Sequence, residues 1–350
     1  MVRRVAFAVP GDLATPTGGY AYDRRMIAEL ERLGWQIDVV GLGDGFPRPS
    51  DAQRVTALAA LMNIPAGRAV VIDGLALGVL PDAAQQVAVD RPLIALVHHP
   101  LAFESGLSPA QADAMRASER TALAPARRVI VTSPATARVL AAEFGVAESR
   151  IVVALPGNDP MPPAKANDGG TIRLLAIGSI VPRKGFDVLI AALATLTDLP
   201  WHLTIAGDRT RNSKAAAQLD ADIARLNLAS RVTVLGAVPD ERIAELYADA
   251  DLFTLASRYE GYGMAFSEAL ARGIPVIATT AGAIPETVPA DAGLLVPPDD
   301  IAAFAAALRH AISDPDERHC MAAAAREAAL KLPTWQASAK LFSDALEAAQ

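Results

Sequence analysis

The chain has 350 residues, 52% hydrophobic and 20% charged, which suits about two soluble globular domains, each with a core of its own. Its 32 Lys and Arg against 39 Asp and Glu, a net charge of −7, exclude the basic surface of a nucleic-acid binder. The single cysteine, Cys320, excludes an internal disulfide framework and a multi-cysteine metal site.

At the N-terminus Arg3 and Arg4 precede an apolar run, 5–9, in the order a signal peptide would have. The run is too short for a signal and passes at once into Pro10, Gly11 and Asp12, so it is read as a first β-strand. No apolar segment approaches the roughly 20 residues that span a bilayer. The expected location is the cytoplasm, with peripheral contact at the inner face of a membrane left open.

Short β-branched runs then alternate with alanine-rich helical segments, the pattern of parallel sheets covered by helices on both faces. Strands are predicted at 5–9, 36–40, 69–72, 93–97, 129–132 and 151–154, and in a second series at 172–177, 203–205, 232–235, 252–255 and 276–277. Between the series, 155–170 has the proline, glycine and polar content of a linker. Two domains are therefore expected, 1–160 and 171–333, followed by an amphipathic helix over 334–350 with Thr334 as its N-cap.

Three strand ends carry candidate ligand contacts. In the loop 11–20, ahead of a helix from about Ala21, Gly18 and Gly19 allow close backbone approach to a ligand, without the G-x-G-x-x-G spacing of a dinucleotide site. The strand 93–97 ends in His98 and His99. Adjacent strand residues face opposite ways, so at most one of these turns inward, and the two do not form a metal pair. In the loop 177–187, Arg183 and Lys184 stand at the carboxyl end of a parallel strand, where ligands bind in such folds. Adjacent cations there suit a diphosphate leaving group, whose charge grows as a glycosidic bond breaks.

The stretch 258–270 is the most informative. The apolar strand 252–255 leads through Glu260, Gly261, Tyr262 and Gly263 into a helix from Met264 to Arg272, with Gly273 as its stop. Such a turn presents backbone N–H groups and a positive dipole end to a phosphate. Glu260 before the helix and Glu268 inside it are placed to reach hydroxyls on opposite sides of one bound diphosphate, a hexose on one side and a nucleoside on the other. Short motifs recur by chance, and a dipole-complementing carboxylate beside a solvated helical glutamate would read the same way in isolation. The strand and the two glycines favour the ligand reading.

This stretch resembles the E-x7-E element of retaining glycosyltransferases of family 4, which have the GT-B fold: two Rossmann-like, doubly wound parallel-sheet domains facing a cleft. The resemblance covers the whole second domain and, more loosely, the first. It implies that Glu260 holds the donor sugar, Glu268 the ribose and Lys184 the diphosphate, with Arg183, Gly261, Tyr262, Gly263 and Met264 around the donor. It also implies that His98 or His99 lies near the donor sugar and the acceptor, that Gly18 and Gly19 face the diphosphate and the acceptor, and that the terminal helix crosses back onto the first domain. Two positions depart from the family: Ser179 stands where an arginine is usual, and Ala283 where a second glycine is common.

The implied activity is retaining transfer of a hexose from a UDP-, GDP- or ADP-sugar to a glycan, lipid or small-molecule acceptor, without a metal or a permanently bound cofactor. The alternatives are a GT-B epimerase or phosphorylase, the latter requiring covalently bound pyridoxal phosphate, and a nucleotide-sugar binding protein that has lost turnover. A Rossmann oxidoreductase is disfavoured by the absence of its fingerprint. A P-loop, G-x-S-x-G, H-E-x-x-H and C-x-x-C are all absent.

Overall fold

The computed structural model describes residues 3–165 and 170–350; residues 1 and 2, and 166–169 within the expected linker, lie outside that description. In one sheet β1 (Arg3–Val9), β2 (Trp35–Gly41), β3 (Ala69–Asp73), β4 (Leu93–Val97), β5 (Arg128–Val131) and β6 (Ile151–Val153) run in the order β2-β1-β3-β4-β5-β6. In the other, β7 (Ile172–Ile177), β8 (Trp201–Ala206), β9 (Val232–Gly236), β10 (Leu252–Leu255), β11 (Val276–Thr279) and β12 (Gly293–Val296) run in the order β12-β11-β10-β7-β8-β9. Every pairing in both sheets is parallel.

The reason lies in the strand sequences. Inner strands β3, β4, β10 and β11 are buried at every position, as continuous aliphatic runs must be when helices cover both faces of a sheet. Edge strand β2 is buried only at Trp35 and otherwise half-buried or exposed. Strand β12 was not predicted. Its apolar residues number only three, Leu294 to Val296, before two prolines, and Gly293 lets it pair closely, since a Cβ there would lie 2.2 Å from the carbonyl oxygen of Val276.

The chain divides into two units, Met1–Gly157 with Pro333–Gln350, and Asn158–Leu332. In the first, the terminal helix Trp335–Glu347 is capped by Thr334, whose side chain accepts from the Ala337 N–H. It packs on the sheet through Phe342 against Phe7, with ring centroids 6.3 Å apart, and accepts the indole N–H of Trp35 on Ser343 Oγ at 2.9 Å. Among the described residues no helix is long and apolar enough to cross a membrane.

Each sheet has one point where its strand order reverses, between β1 and β3 in the first unit and between β7 and β10 in the second. Loops leaving such neighbours in opposite directions open a crevice at their carboxyl ends. Both charge clusters described next stand there.

Candidate functional site

In the second unit the loop after β7 forms a single 3-10 turn, Pro182–Lys184, before the helix Phe186–Ala194. Gly185 joins them at φ +64°, and a Cβ there would lie 1.9 Å from the carbonyl oxygen of Ala256, so only glycine lets this loop rest on the one after β10. The backbone N–H of Arg258 donates to the Arg183 carbonyl at 2.7 Å. The Arg258 guanidinium clamps the same junction, donating to the Pro182 carbonyl at 2.6 Å and to both carboxylate oxygens of Asp187 at 3.0 and 2.7 Å.

Glu260 is the centre of this junction. It is 5% exposed; its Oε1 accepts from Lys184 Nζ at 2.7 Å and Ser257 Oγ at 2.6 Å, and its Oε2 from Arg183 Nη1 at 3.2 Å. Burial alone would push this carboxyl up, but Lys184 and Arg183 outweigh it and hold the group at about 2. Glu260 is therefore a fixed anion and an acceptor only. Its own carbonyl receives the Ala283 N–H at 2.9 Å, which fixes the backbone from the neighbouring turn.

The helix after Gly263 runs Met264–Leu270, two residues shorter than the predicted end at Arg272. Seven residues give a weak dipole, so the positive charge of the site comes chiefly from Arg183 and Lys184. Glu268 lies on this helix, half-buried, with Tyr247 Oη donating to its Oε2 at 2.9 Å. Burial raises its pKa, while Tyr247 and Arg272 work against the rise. Arg272 lies 4.6 Å over the Tyr247 ring and donates to the Glu268 backbone carbonyl at 3.0 Å, so it backs the tyrosine that bonds the carboxylate. Gly261 and Tyr262 are buried, Gly263 and Met264 half-buried, and the Tyr262 carbonyl accepts from Thr287 Oγ1 at 2.8 Å.

In the first unit Gly18 and Gly19 open the helix Gly18–Arg32 instead of ending a loop, because Thr17 caps it by accepting the Tyr20 N–H. Gly19 lies against the His98 ring, where a Cβ would come 3.3 Å from Cδ2. His98 Nε2 faces two carboxylates, Asp23 Oδ1 at 3.1 Å and Asp73 Oδ2 at 3.4 Å, with the Tyr22 ring edge-on at 5.3 Å. Burial pushes Asp23 up to about 7, with His98 pulling it back; burial would lower His98, but Asp23 and Asp73 raise it to about 10. His99 turns elsewhere, with Nε2 3.5 Å from Glu104 Oε2.

Sequence reasoning missed Asp23 and Asp73. The signals were present: Asp73 directly follows the apolar run of β3, and Asp23 lies four residues after Gly19, on the same helix face. The structure thus brings Arg183, Lys184 and Glu260 together, keeps Glu268 on the following helix with partners of its own, and groups His98 with acids that the sequence did not single out.

Residues 18–161 match the family model described as Glycosyltransferase Family 4, and residues 159–328 the model described as Glycosyl transferases group 1. The chain belongs to glycosyltransferase family 4. A curated relative, D-inositol 3-phosphate glycosyltransferase of Rhodococcus erythropolis, is 31% identical over 252 residues, which are 65% of this chain and 57% of that protein. The chain thus spans little more than half of that relative's length. Sucrose-phosphate synthase from Thermosynechococcus elongatus superposes with a TM-score of 0.82 at 23% identity, covering 97% of this chain and 98% of that one. Anabaena HepE, solved in complex with UDP-glucose, gives 0.75 at 21% identity, covering 98% and 99%. The two parallel sheets of this family 4 protein are those of the GT-B fold.

Proposed function

We propose that this chain transfers a hexose from a nucleotide diphosphate sugar to a glycan, lipid or small-molecule acceptor, with retention of anomeric configuration. One observation carries the reading: a buried glutamate, Glu260, lies between Lys184 and Arg183 at the switch point of the second sheet. Two cations against one carboxylate leave a positive surplus, which suits a diphosphate. As the bond to the sugar breaks, charge accumulates on that diphosphate, and preformed cations stabilise it more than they stabilise the ground state. When the cations turn to phosphate, the Glu260 oxygens they release accept sugar hydroxyls. Glu268 takes the ribose. Charge neutralisation by Arg183 and Lys184 makes this donor chemistry independent of a metal.

The first unit takes the acceptor near Gly18, Gly19, His98 and His99. In the retaining route of the family the leaving phosphate accepts the acceptor's proton on the same face, so no second carboxylate is needed as base. UDP is the first nucleotide to test, because HepE was solved with UDP-glucose.

A nucleotide-sugar binding protein without turnover is the second reading, resting on Ser179 and Ala283. Ala283 supports it little: its φ of −88° is open to any residue, and its N–H still reaches the Glu260 carbonyl. The test is thermal stabilisation by a panel of UDP-, GDP- and ADP-sugars on the wild type and Glu268→Ala, followed by turnover of a labelled donor and NMR of the product's anomeric proton. Stabilisation by one nucleotide family, reduced in the variant, with an axial donor giving an axial product, is expected. Stabilisation by none would overturn the donor site, and binding without turnover would favour the second reading.

A further inference from the structure

The second unit has a hollow between the helices Phe186–Ala194 and Ser213–Arg225. It is a cavity of about 280 Å³, walled by the apolar side chains of Ile180, Val181, Pro182, Phe186, Ala215 and Leu219. Among the described residues that line it, Arg183, Lys184, Glu260 and Glu268 do not occur, so it is separate from the donor site. Ile180, Phe186 and Leu219 are 1%, 4% and 3% exposed, so packing with the core fixes these walls before any ligand arrives. The polar residues at the edge are unequally engaged. Both Asp187 oxygens accept from Arg258, at 3.0 and 2.7 Å, and the Asp222 carboxylate accepts from Arg225 Nη2 at 2.6 Å and Gln218 Nε2 at 3.1 Å. Asn212 Oδ1 caps the second helix by accepting the Ala215 N–H at 2.9 Å, while its Nδ2 has no acceptor among the described residues. The Lys214 side chain, exposed on the first turn of that helix, has no ion pair or hydrogen bond among them either.

We propose that this cavity binds a small monocarboxylate with one ring or a short branched chain, its apolar body between the two helices and its carboxylate at Lys214 Nζ and Asn212 Nδ2. Size sets the first half of that choice. Pockets for drug-sized ligands run from about 300 to 1,000 Å³, so this one admits a body of a single ring. Charge sets the second half. The two acids that line the cavity are occupied by arginine and amide donors and offer little to a cation, while one ammonium and one amide stand open to an acceptor. A phosphate dianion would meet Asp187 and Asp222 with Lys214 alone to offset them, and a neutral ligand would leave the ammonium unused. The inference is independent of the transferase reading, in which neither the cavity nor its open donors take part.

The test titrates the full chain, labelled with nitrogen-15, with 3-phenylpropionate, its neutral amide 3-phenylpropionamide, and acetate, reading backbone amide shifts by NMR. The phenyl acid is expected to saturate a single site and to shift the amides of Val181, Phe186, Ala215 and Leu219. The neutral amide should bind roughly two- to fivefold more weakly, the range of an exposed ion pair. Acetate, which carries the charge without the ring, should leave those amides unshifted. Ala215→Trp, which fills the cavity, should abolish binding of the acid. Lys214→Gln changes an exposed side chain and leaves the walls intact, so it tests the site in a folded protein even where the tryptophan disturbs packing; it should reduce the acid to the affinity of the amide. No shift with the acid, equal affinity for acid and amide, equal shifts with acetate, or acid binding unchanged in both variants would overturn the proposal.

Discussion

The two units place a buried charge cluster at the same topological position, the reversal point of a parallel sheet, and load it with opposite surpluses. In the second unit two cations close on one carboxylate, Glu260, and every oxygen of that carboxylate has a donor. In the first, two carboxylates close on one imidazole, and one of their oxygens, Asp23 Oδ2, has no donor among the described residues. The fold supplies the crevice, while the side chains set the sign of the charge that lines it. A shared architecture therefore says little about what each unit binds.

The largest expected effect falls on the cationic cluster. Lys184→Ala should lower turnover of a labelled donor by about 10²–10³-fold, the usual loss when a group facing developing charge is removed, with nucleotide affinity changing far less. Unchanged turnover would remove Lys184 from the reaction. Gly185→Ala attacks the same junction through the backbone. An alanine there must hold φ +64° and displace the Ala256 carbonyl, at about 2–4 kcal/mol. Trp201 is the only tryptophan of the second unit, so its fluorescence should report an earlier unfolding midpoint in that unit. A midpoint equal to the wild type would show that the two loops do not depend on their close approach.

A second pair of buried glutamates sharpens the contrast through pH. Among the described residues Glu119 in the first unit accepts the Leu101 N–H alone, at 3.0 Å, on Oε2, and its buried Oε1 has no donor. Burial pushes it up to about 8, against the pull of that N–H and of Arg116. Its folded pKa lies above the unfolded value, so between about 4.5 and 8 the folded state holds a proton that the unfolded state has released. Stability must then fall as pH rises through that window. Glu119→Gln, which mimics the protonated acid, should flatten this dependence and gain on the order of 4 kcal/mol over the wild type near pH 8, read from urea midpoints between pH 5 and 9. Glu260 has the reverse sign. Its stabilising contribution is present above about 4.5 and disappears as pH falls toward 2. Parallel urea profiles for Glu119→Gln and the wild type would refute the Glu119 assignment.

Much of this was legible in the sequence, and the exceptions have physical causes. Aliphatic runs four to seven residues long between glycine, proline and alanine-rich segments suffice to find the inner strands, because burial on both faces demands apolar side chains at every position. The edge strand β12, three apolar residues long, carried too weak a signal. The loop joining β7 to its helix could be read for its cations. The ion pairs from Lys184 and Arg183 to Glu260 could not, since they join residues 76 and 77 positions apart. Asp23 and Asp73 were passed over for the same reason: each carries a local cue, a strand end or a helix face, but only the packing of three elements brings them to His98.

The smallest expected effect tests whether Glu268 is a ligand or a helix carboxylate. Tyr247 is fully buried, and its hydroxyl lies 2.9 Å from Glu268 Oε2 and 3.0 Å from the Ala265 carbonyl. One proton cannot serve both acceptors fully, so the tyrosine steers the carboxylate without saturating it. Glu268→Ala should weaken nucleotide binding about tenfold, or about 1.4 kcal/mol. Tyr247→Phe keeps the packing of its ring against Phe253 and removes one hydrogen bond, so it should cost two- to fivefold, about 0.5–1 kcal/mol. Turnover at saturating donor should stay near wild type in Tyr247→Phe, because the ribose is remote from the bond that breaks. Equal losses in the two variants would assign the hydroxyl itself to the nucleotide. Loss in neither would leave Glu268 as a carboxylate complementing its own helix, and the ribose contact would have to be sought elsewhere.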